Sequence, residues 1–95
     1  MKVVARKCVD EFIRTHPDGK SSIESWYYEA LNSSWKTSMD IKQRYASASF
    51  LAKNYVVFNI KGNSYRLVTK IAYKSGLVYI KWLGTHAEYD KKEFP

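Results

Sequence analysis

His86 and Tyr89 stand three residues apart, a spacing that puts both side chains on one face of a helical turn. His86 can exchange a proton near neutral pH. Tyr89 offers a hydroxyl that can donate to a substrate, or a ring on which a base can stack. Arg66 lies earlier, in FNIKGNSYRLV (residues 58–68), and its planar guanidinium can hold two phosphate oxygens at once. An imidazole, a phenol and a guanidinium together suit chemistry at a phosphate ester. Each also has a plainer reading. His86 could simply open a helix after a Thr85 cap, Tyr89 could anchor that turn on a sheet, and Arg66 could pair with a distant acid such as Asp90. Glu88 has capping-box spacing from Thr85, a simpler role than catalysis.

These groups need elements to position them, and 95 residues suit one domain, 1–95, with a small core. Lys2-Val3-Val4 reads as a short strand. Ala5, Cys8, Val9, Phe12 and Ile13 recur at helical spacing, so a helix should run to Thr15, where His16-Pro17-Asp18-Gly19 stops it. Ser21 and Glu24 have capping-box spacing for a second helix with Ile23, Trp26, Tyr27, Ala30 and Leu31 on its apolar face. Thr37 or Ser38 caps a short third helix toward Tyr45. From Asn54 the period becomes two. Tyr55–Lys61, Ser64–Tyr73 and Leu77–Leu83 read as antiparallel strands, with turns at Gly62-Asn63 and Ser75-Gly76. Positive φ is the reason for Gly62 and Asn63. The expected fold is α+β: N-terminal helices on one face of a small antiparallel sheet, which is a three-stranded meander plus a short N-terminal strand. A helical turn from His86 closes the chain.

Two-residue loops would pair Asn59 with Arg66, Val57 with Val68, Tyr55 with Lys70, and Lys70 with Lys81. One face then collects Lys61, Arg66, Lys70 and Lys81, with Asn59, Tyr55 and Tyr79 among them. The other collects Val56, Phe58, Ile60, Leu67, Ile71, Val78, Ile80 and Trp82, and is the core. Like charges placed opposite each other cost stability unless the face meets an anion. Cations interleaved with rings suit single-stranded nucleic acid, whose phosphates pair with Lys and Arg and whose bases stack. Candidate RNA contacts are Lys61, Lys70, Lys81, Asn59 and Lys53. Ordinary surface charge is the alternative for Lys61, Lys53 and Lys74.

The net charge of +7 is unevenly spread. Residues 41–87 hold eight Lys or Arg and no acid, while all nine acids lie in 10–40 or 88–93. Such a segment attracts polyanions. A single cysteine, Cys8, excludes an internal disulfide and argues against zinc, and it reads as a small apolar side chain on its helical stripe. No cofactor or metal is expected. The N-terminus lacks the apolar run of a signal peptide and no segment could span a membrane, so the expected location is the cytoplasm. His16 belongs to a helix-ending turn, and Trp26, Tyr27 and Trp35 are core or partner contacts.

VVFNIKGNSYRLV, IAYKSGLVYIKW and GTHAEYDK closely resemble the HigB-type toxin family, within the RelE/ParE-like superfamily of bacterial type II toxin–antitoxin systems. The dense match covers 54–92, and a looser one takes in MKVVARKCVDEFIRTHPD, Trp26 and Trp35. The resemblance implies a RelE-like fold and an mRNA interferase, a metal-independent and ribosome-dependent endoribonuclease that inhibits translation. It favours a catalytic role for His86, with the RNA 2′-hydroxyl as nucleophile and Tyr89 and Arg66 as the other catalytic candidates; whether His86 is base or acid stays open. It also implies a HigA-type helix-turn-helix antitoxin, through which the complex reaches operator DNA. Two alternatives remain: a non-catalytic RNA-binding module, and a ParE-like inhibitor of DNA gyrase acting by protein interaction. The His86–Tyr89 pair beside a basic sheet separates the first reading from these.

Overall fold

The computed structural model describes residues 1–93. In chain order it runs β1 (Lys2–Val4), α1 (Arg6–Thr15), a 3-10 turn (Pro17–Gly19), α2 (Lys20–Leu31), α3 (Ser38–Arg44) and β2 (Ser49–Phe50). A second 3-10 turn (Ala52–Asn54) leads to β3 (Tyr55–Ile60), β4 (Tyr65–Ala72), β5 (Leu77–Thr85) and α4 (His86–Asp90). The fold is α+β as expected. The sheet has five strands in the order β1-β5-β4-β3-β2, with β1 parallel to β5 and the other neighbours antiparallel. β2 is an addition: two residues are too few to show a period.

The helices cover one face. Val9, Phe12, Ile23, Trp26, Ala30, Trp35 and Ile41 bury against Val56, Phe58, Ile60, Leu67, Ile71, Val78 and Ile80. Phe58 is the centre, with the rings of Trp26, Trp35 and Tyr45 at 5.4, 6.1 and 5.1 Å. Leu31, expected on this apolar face, is exposed instead. Cys8 is half-buried against the core, as its place on the stripe requires.

The expected Ser21–Glu24 capping box does not form. Pro17 starts a 3-10 turn that feeds directly into α2 at Lys20, so Ser21 is already inside the helix, and Glu24 lies 3.4 Å from Arg6 instead. α3 does begin after Thr37, where Asp40 Oδ2 accepts from the backbone N–H groups of Lys36 and Thr37 at 2.9 and 3.2 Å.

The first hairpin has the expected register, with Tyr55 opposite Lys70, Val57 opposite Val68 and Asn59 opposite Arg66. Its left-handed residues are Lys61 and Gly62 (φ 53° and 61°) rather than Gly62 and Asn63. The second hairpin departs from expectation. Pairing ends at Ala72 and Leu77, so Tyr73 to Gly76 form the connection and the register slides by two; Lys70 faces Tyr79, not Lys81. A slide of two leaves every side chain on its own face. A bulge then intervenes: Thr69 pairs with Ile80 and Val68 with Trp82, leaving Lys81 as the extra residue. Beyond it the alternation reverses. Trp82, expected in the core, joins Val68 and Arg66 on the face away from the helices, and Leu83 turns to the core opposite Leu67.

Candidate nucleic-acid interface

The site is built at the end of β5, where Thr85 starts α4. Glu88 N–H donates to Thr85 Oγ1 at 3.1 Å, and Thr85 N–H donates to Glu88 Oε1 at 2.9 Å, completing a capping box. The backbone N–H of Thr85, and after it the Thr85 hydroxyl, hold the Glu88 carboxyl below the ordinary glutamate range. Glu88 therefore serves the helix end. His86 N–H donates to Ser64 O at 3.2 Å, mooring α4 to the β3–β4 turn. His86 Nδ1 lies 3.0 Å from Asp90 Oδ2, one helical turn on. Asp90 thus faces His86 rather than Arg66, the partner expected from the sequence. The signal was there, since an acid four residues after a helical histidine faces it.

Arg66 is the second residue of β4, the central strand of the sheet, between Asn59 and Gly84 of the neighbouring strands, and is half-buried. Its Nη1 is buried and has no hydrogen-bond partner among the described residues, and no carboxylate among them pairs with it. Its Cζ lies 5.9 Å from the centre of the Tyr89 ring, which in turn lies 6.2 Å from the Trp82 ring at 44°. Gly84 makes this cluster possible. A Cβ there would fall 2.7 Å from the Trp82 ring and 2.9 Å from Glu88 Oε1. Arg66 and Tyr89 thus come together, and His86 and Asp90 share the same helical turn. Trp82 and Gly84 were not anticipated, because the bulge that presents Trp82 has no sequence signature.

Further along the open face each cation sits by a ring. Lys70 Nζ is 5.9 Å from the Tyr55 ring, Lys81 Nζ 5.6 Å from that of Tyr79, and Lys92 Nζ 5.8 Å from that of Trp82. Lys70 and Lys81 each lie by a tyrosine ring, and Lys70 faces Tyr79 without the direct Lys70–Lys81 opposition expected. Asn59 shares the face, but its Nδ2 donates to Ser47 O at 3.3 Å and holds a loop. Lys61 leaves the row, because its left-handed backbone carries it to Asp18, with Nζ 2.9 Å from Oδ2. Lys53 is exposed in the 3-10 turn before β3, outside the strands. Among the described residues no group of three or more His, Cys, Asp or Glu is placed to hold a metal ion, and no helix is long and apolar enough to cross a membrane.

Helices on one side of a small, mostly antiparallel sheet, with cations, rings and a His–Asp pair on and beside the other, are consistent with a RelE-like fold. The chain belongs to the HigB toxin family: residues 19–92 match the family described as the RelE-like toxic component of a toxin–antitoxin system. It is 27% identical over 93 residues to the mRNA interferase toxin HigB of Escherichia coli K12, covering 95% of this chain and 88% of that protein. The proteins named mRNA interferase HigB in Escherichia coli O157:H7 and Shigella flexneri match to the same extent. As the toxic component of such a system, the chain has an antitoxin partner.

Proposed function

We propose that this chain, acting as one domain over residues 1–95, is an endoribonuclease that cuts mRNA on the ribosome in the cytoplasm and so inhibits translation. The observation that carries the reading is the buried, unpartnered Nη1 of Arg66 beside Tyr89. A buried charged donor left unsatisfied costs free energy, and a phosphate oxygen would satisfy it. Names of the relatives point the same way.

In the reaction, the 2′-oxygen loses its proton and attacks the adjacent phosphorus. The bond to the 5′-oxygen breaks, and that oxygen leaves with a proton. The products are a 2′,3′-cyclic phosphate and a 5′-hydroxyl end. Arg66 holds the phosphoryl oxygens as charge develops. His86 Nε2 and the Tyr89 hydroxyl exchange the two protons, and Asp90 orients His86 through Nδ1. Lys70 and Lys81, with Tyr55 and Tyr79, grip the strand farther along. Side chains fill every role, so where the purified chain cuts RNA without the ribosome, cleavage should persist in EDTA.

The neutralising partner is a HigA-type helix-turn-helix antitoxin, and operator DNA is reached only through it. Expressing the chain without antitoxin should arrest growth and create new 5′-hydroxyl ends inside coding regions. Arrest with intact messages and altered DNA supercoiling would replace this reading with inhibition of gyrase. RNA binding without new ends would leave only a binding module.

A further inference from the structure

The 3-10 turn Pro17–Gly19 lies flush against Tyr65, the first residue of β4. Gly19 permits this approach, because a Cβ there would fall 2.8 Å from the Phe12 ring and 3.2 Å from the Tyr65 ring. Tyr65 is buried edge-on to Phe12, with ring centres 4.9 Å apart, and its hydroxyl donates to Asp18 Oδ1 at 2.6 Å. The second carboxylate oxygen, Oδ2, accepts from Lys61 Nζ at 2.9 Å. One carboxylate therefore holds both ends of the turn between β3 and β4. Ser64 N–H donates to Lys61 O at 3.1 Å and closes that turn on itself. Arg66 follows Tyr65 directly, and Ser64 O accepts from the His86 N–H at 3.2 Å. Tyr65 is also paired with Thr85, the cap of α4.

We infer that Asp18 is a positioning residue for RNA cleavage: through Tyr65 and the β3–β4 turn it fixes His86 and Arg66 relative to each other. The inference rests on the nuclease reading in taking those two side chains as reacting groups. Of the two arms, the tyrosine arm is the stronger. Ion pairs between exposed side chains contribute little, and Lys61 and Asp18 are 45% and 55% exposed. The Tyr65 hydroxyl, by contrast, stands on a buried ring that cannot swing away from Asp18 without leaving Phe12. Its hydrogen bond, and after it that of Lys61, holds the Asp18 carboxyl below the ordinary aspartate range, so the acceptor is anionic at neutral pH. The same bond pushes the Tyr65 phenol up, so it stays a donor. A residue placed this way touches no RNA. Its removal should misalign the reacting groups and leave the grip on the strand intact.

Tyr65→Phe keeps the ring and removes the hydroxyl, while Asp18→Ala removes the acceptor. Each should lower turnover at saturating message by about tenfold with RNA affinity unchanged, since misplacement from afar acts on the reacting geometry. The double variant should be no worse than the worse single one, because both delete the same contact. Asp18→Asn should recover most of the loss, as its amide oxygen still accepts from Tyr65. Hydrogen exchange reads the mooring directly. In Asp18→Ala, protection of the His86 amide, taken relative to its intrinsic rate, should fall by about tenfold while that of buried Val68 holds. A folded Asp18→Ala chain with normal turnover and normal His86 protection would overturn the inference. So would loss of turnover with that protection intact, additive losses in the double variant, or weaker RNA affinity at unchanged turnover. If Asp18→Ala fails to fold, Tyr65→Phe carries the same test, because its ring packing is kept. Amide exchange needs no cleavage. Loss of His86 protection in a chain that cuts no message would therefore refute the nuclease reading and leave the anchoring by Asp18 standing.

Discussion

An imidazole with one nitrogen turned to a carboxylate offers its other nitrogen to a substrate, and Asp90 imposes that orientation on His86. Removing a proton-transfer group typically costs about 10²–10⁴ in rate, so His86→Ala should abolish growth arrest in cells lacking the antitoxin. The folded variant should still bind RNA, because the cations of the sheet are untouched. Asp90→Ala should cost less, roughly tenfold to a hundredfold, since it removes only an orienting partner. Asp90→Asn should recover part of that loss, because its amide oxygen can still face Nδ1. Single-turnover cleavage of a defined message checks all three, and a folded His86→Ala chain that cuts at the original rate would remove His86 from the mechanism. Tyr89→Phe separates two roles. A large loss marks the hydroxyl, while a small one marks the ring that lies between Trp82 and Arg66.

At the scale of elements, α4 is the vulnerable part. A helix of five residues cannot persist by its own hydrogen bonds and depends on its caps and contacts. Thr85→Ala removes the cap and should cost about 1 kcal/mol of local stability, seen as faster amide exchange in α4 together with weaker toxicity. Acid should act at the same point. The Glu88 carboxyl is held below its ordinary range by donors present only in the folded turn, so its contribution is complete above that range. It is lost as pH falls through the lowered value. Protection of the α4 amides, taken relative to their intrinsic exchange rates, should therefore fall on acidification, and Glu88→Gln should abolish this dependence. This helix was legible in advance because Thr85 and Glu88 stand at cap spacing beside a change of period. The meander was legible for a similar reason: Tyr55 to Ala72 alternates, and the first turn fixes its register. What stayed hidden was set by distant contacts. Ser21 looks like a cap until Pro17 starts the turn early. The bulge at Lys81 leaves no mark in the strand, yet it exchanges the faces of Trp82 and Leu83.

Across the whole molecule two opposite faces of one sheet do different work, and mutation should separate them. The core side has Phe58 at its centre, almost fully buried among Trp26, Trp35 and Tyr45. Truncating a buried phenylalanine costs about 3–5 kcal/mol, and a domain of this size has roughly 5–15 kcal/mol in total. Phe58→Ala should therefore lower the melting temperature sharply. The open side should respond through charge. Lys70→Glu should weaken binding of a short single-stranded RNA and make the slope of log K against log salt shallower, by roughly 0.7 for the one phosphate contact removed. Arg66→Ala links the two measurements. It deletes a charge whose Nη1 is buried without a partner, so folding should be unharmed or slightly favoured, while loss of a preorganised phosphate contact should cost about 10²–10³ in cleavage rate. The pair of variants is checked by thermal melts beside cleavage assays on the same preparations. If Arg66→Ala unfolds the chain while Phe58→Ala melts normally and loses activity, the faces are reversed and the nucleic acid lies on the helical side.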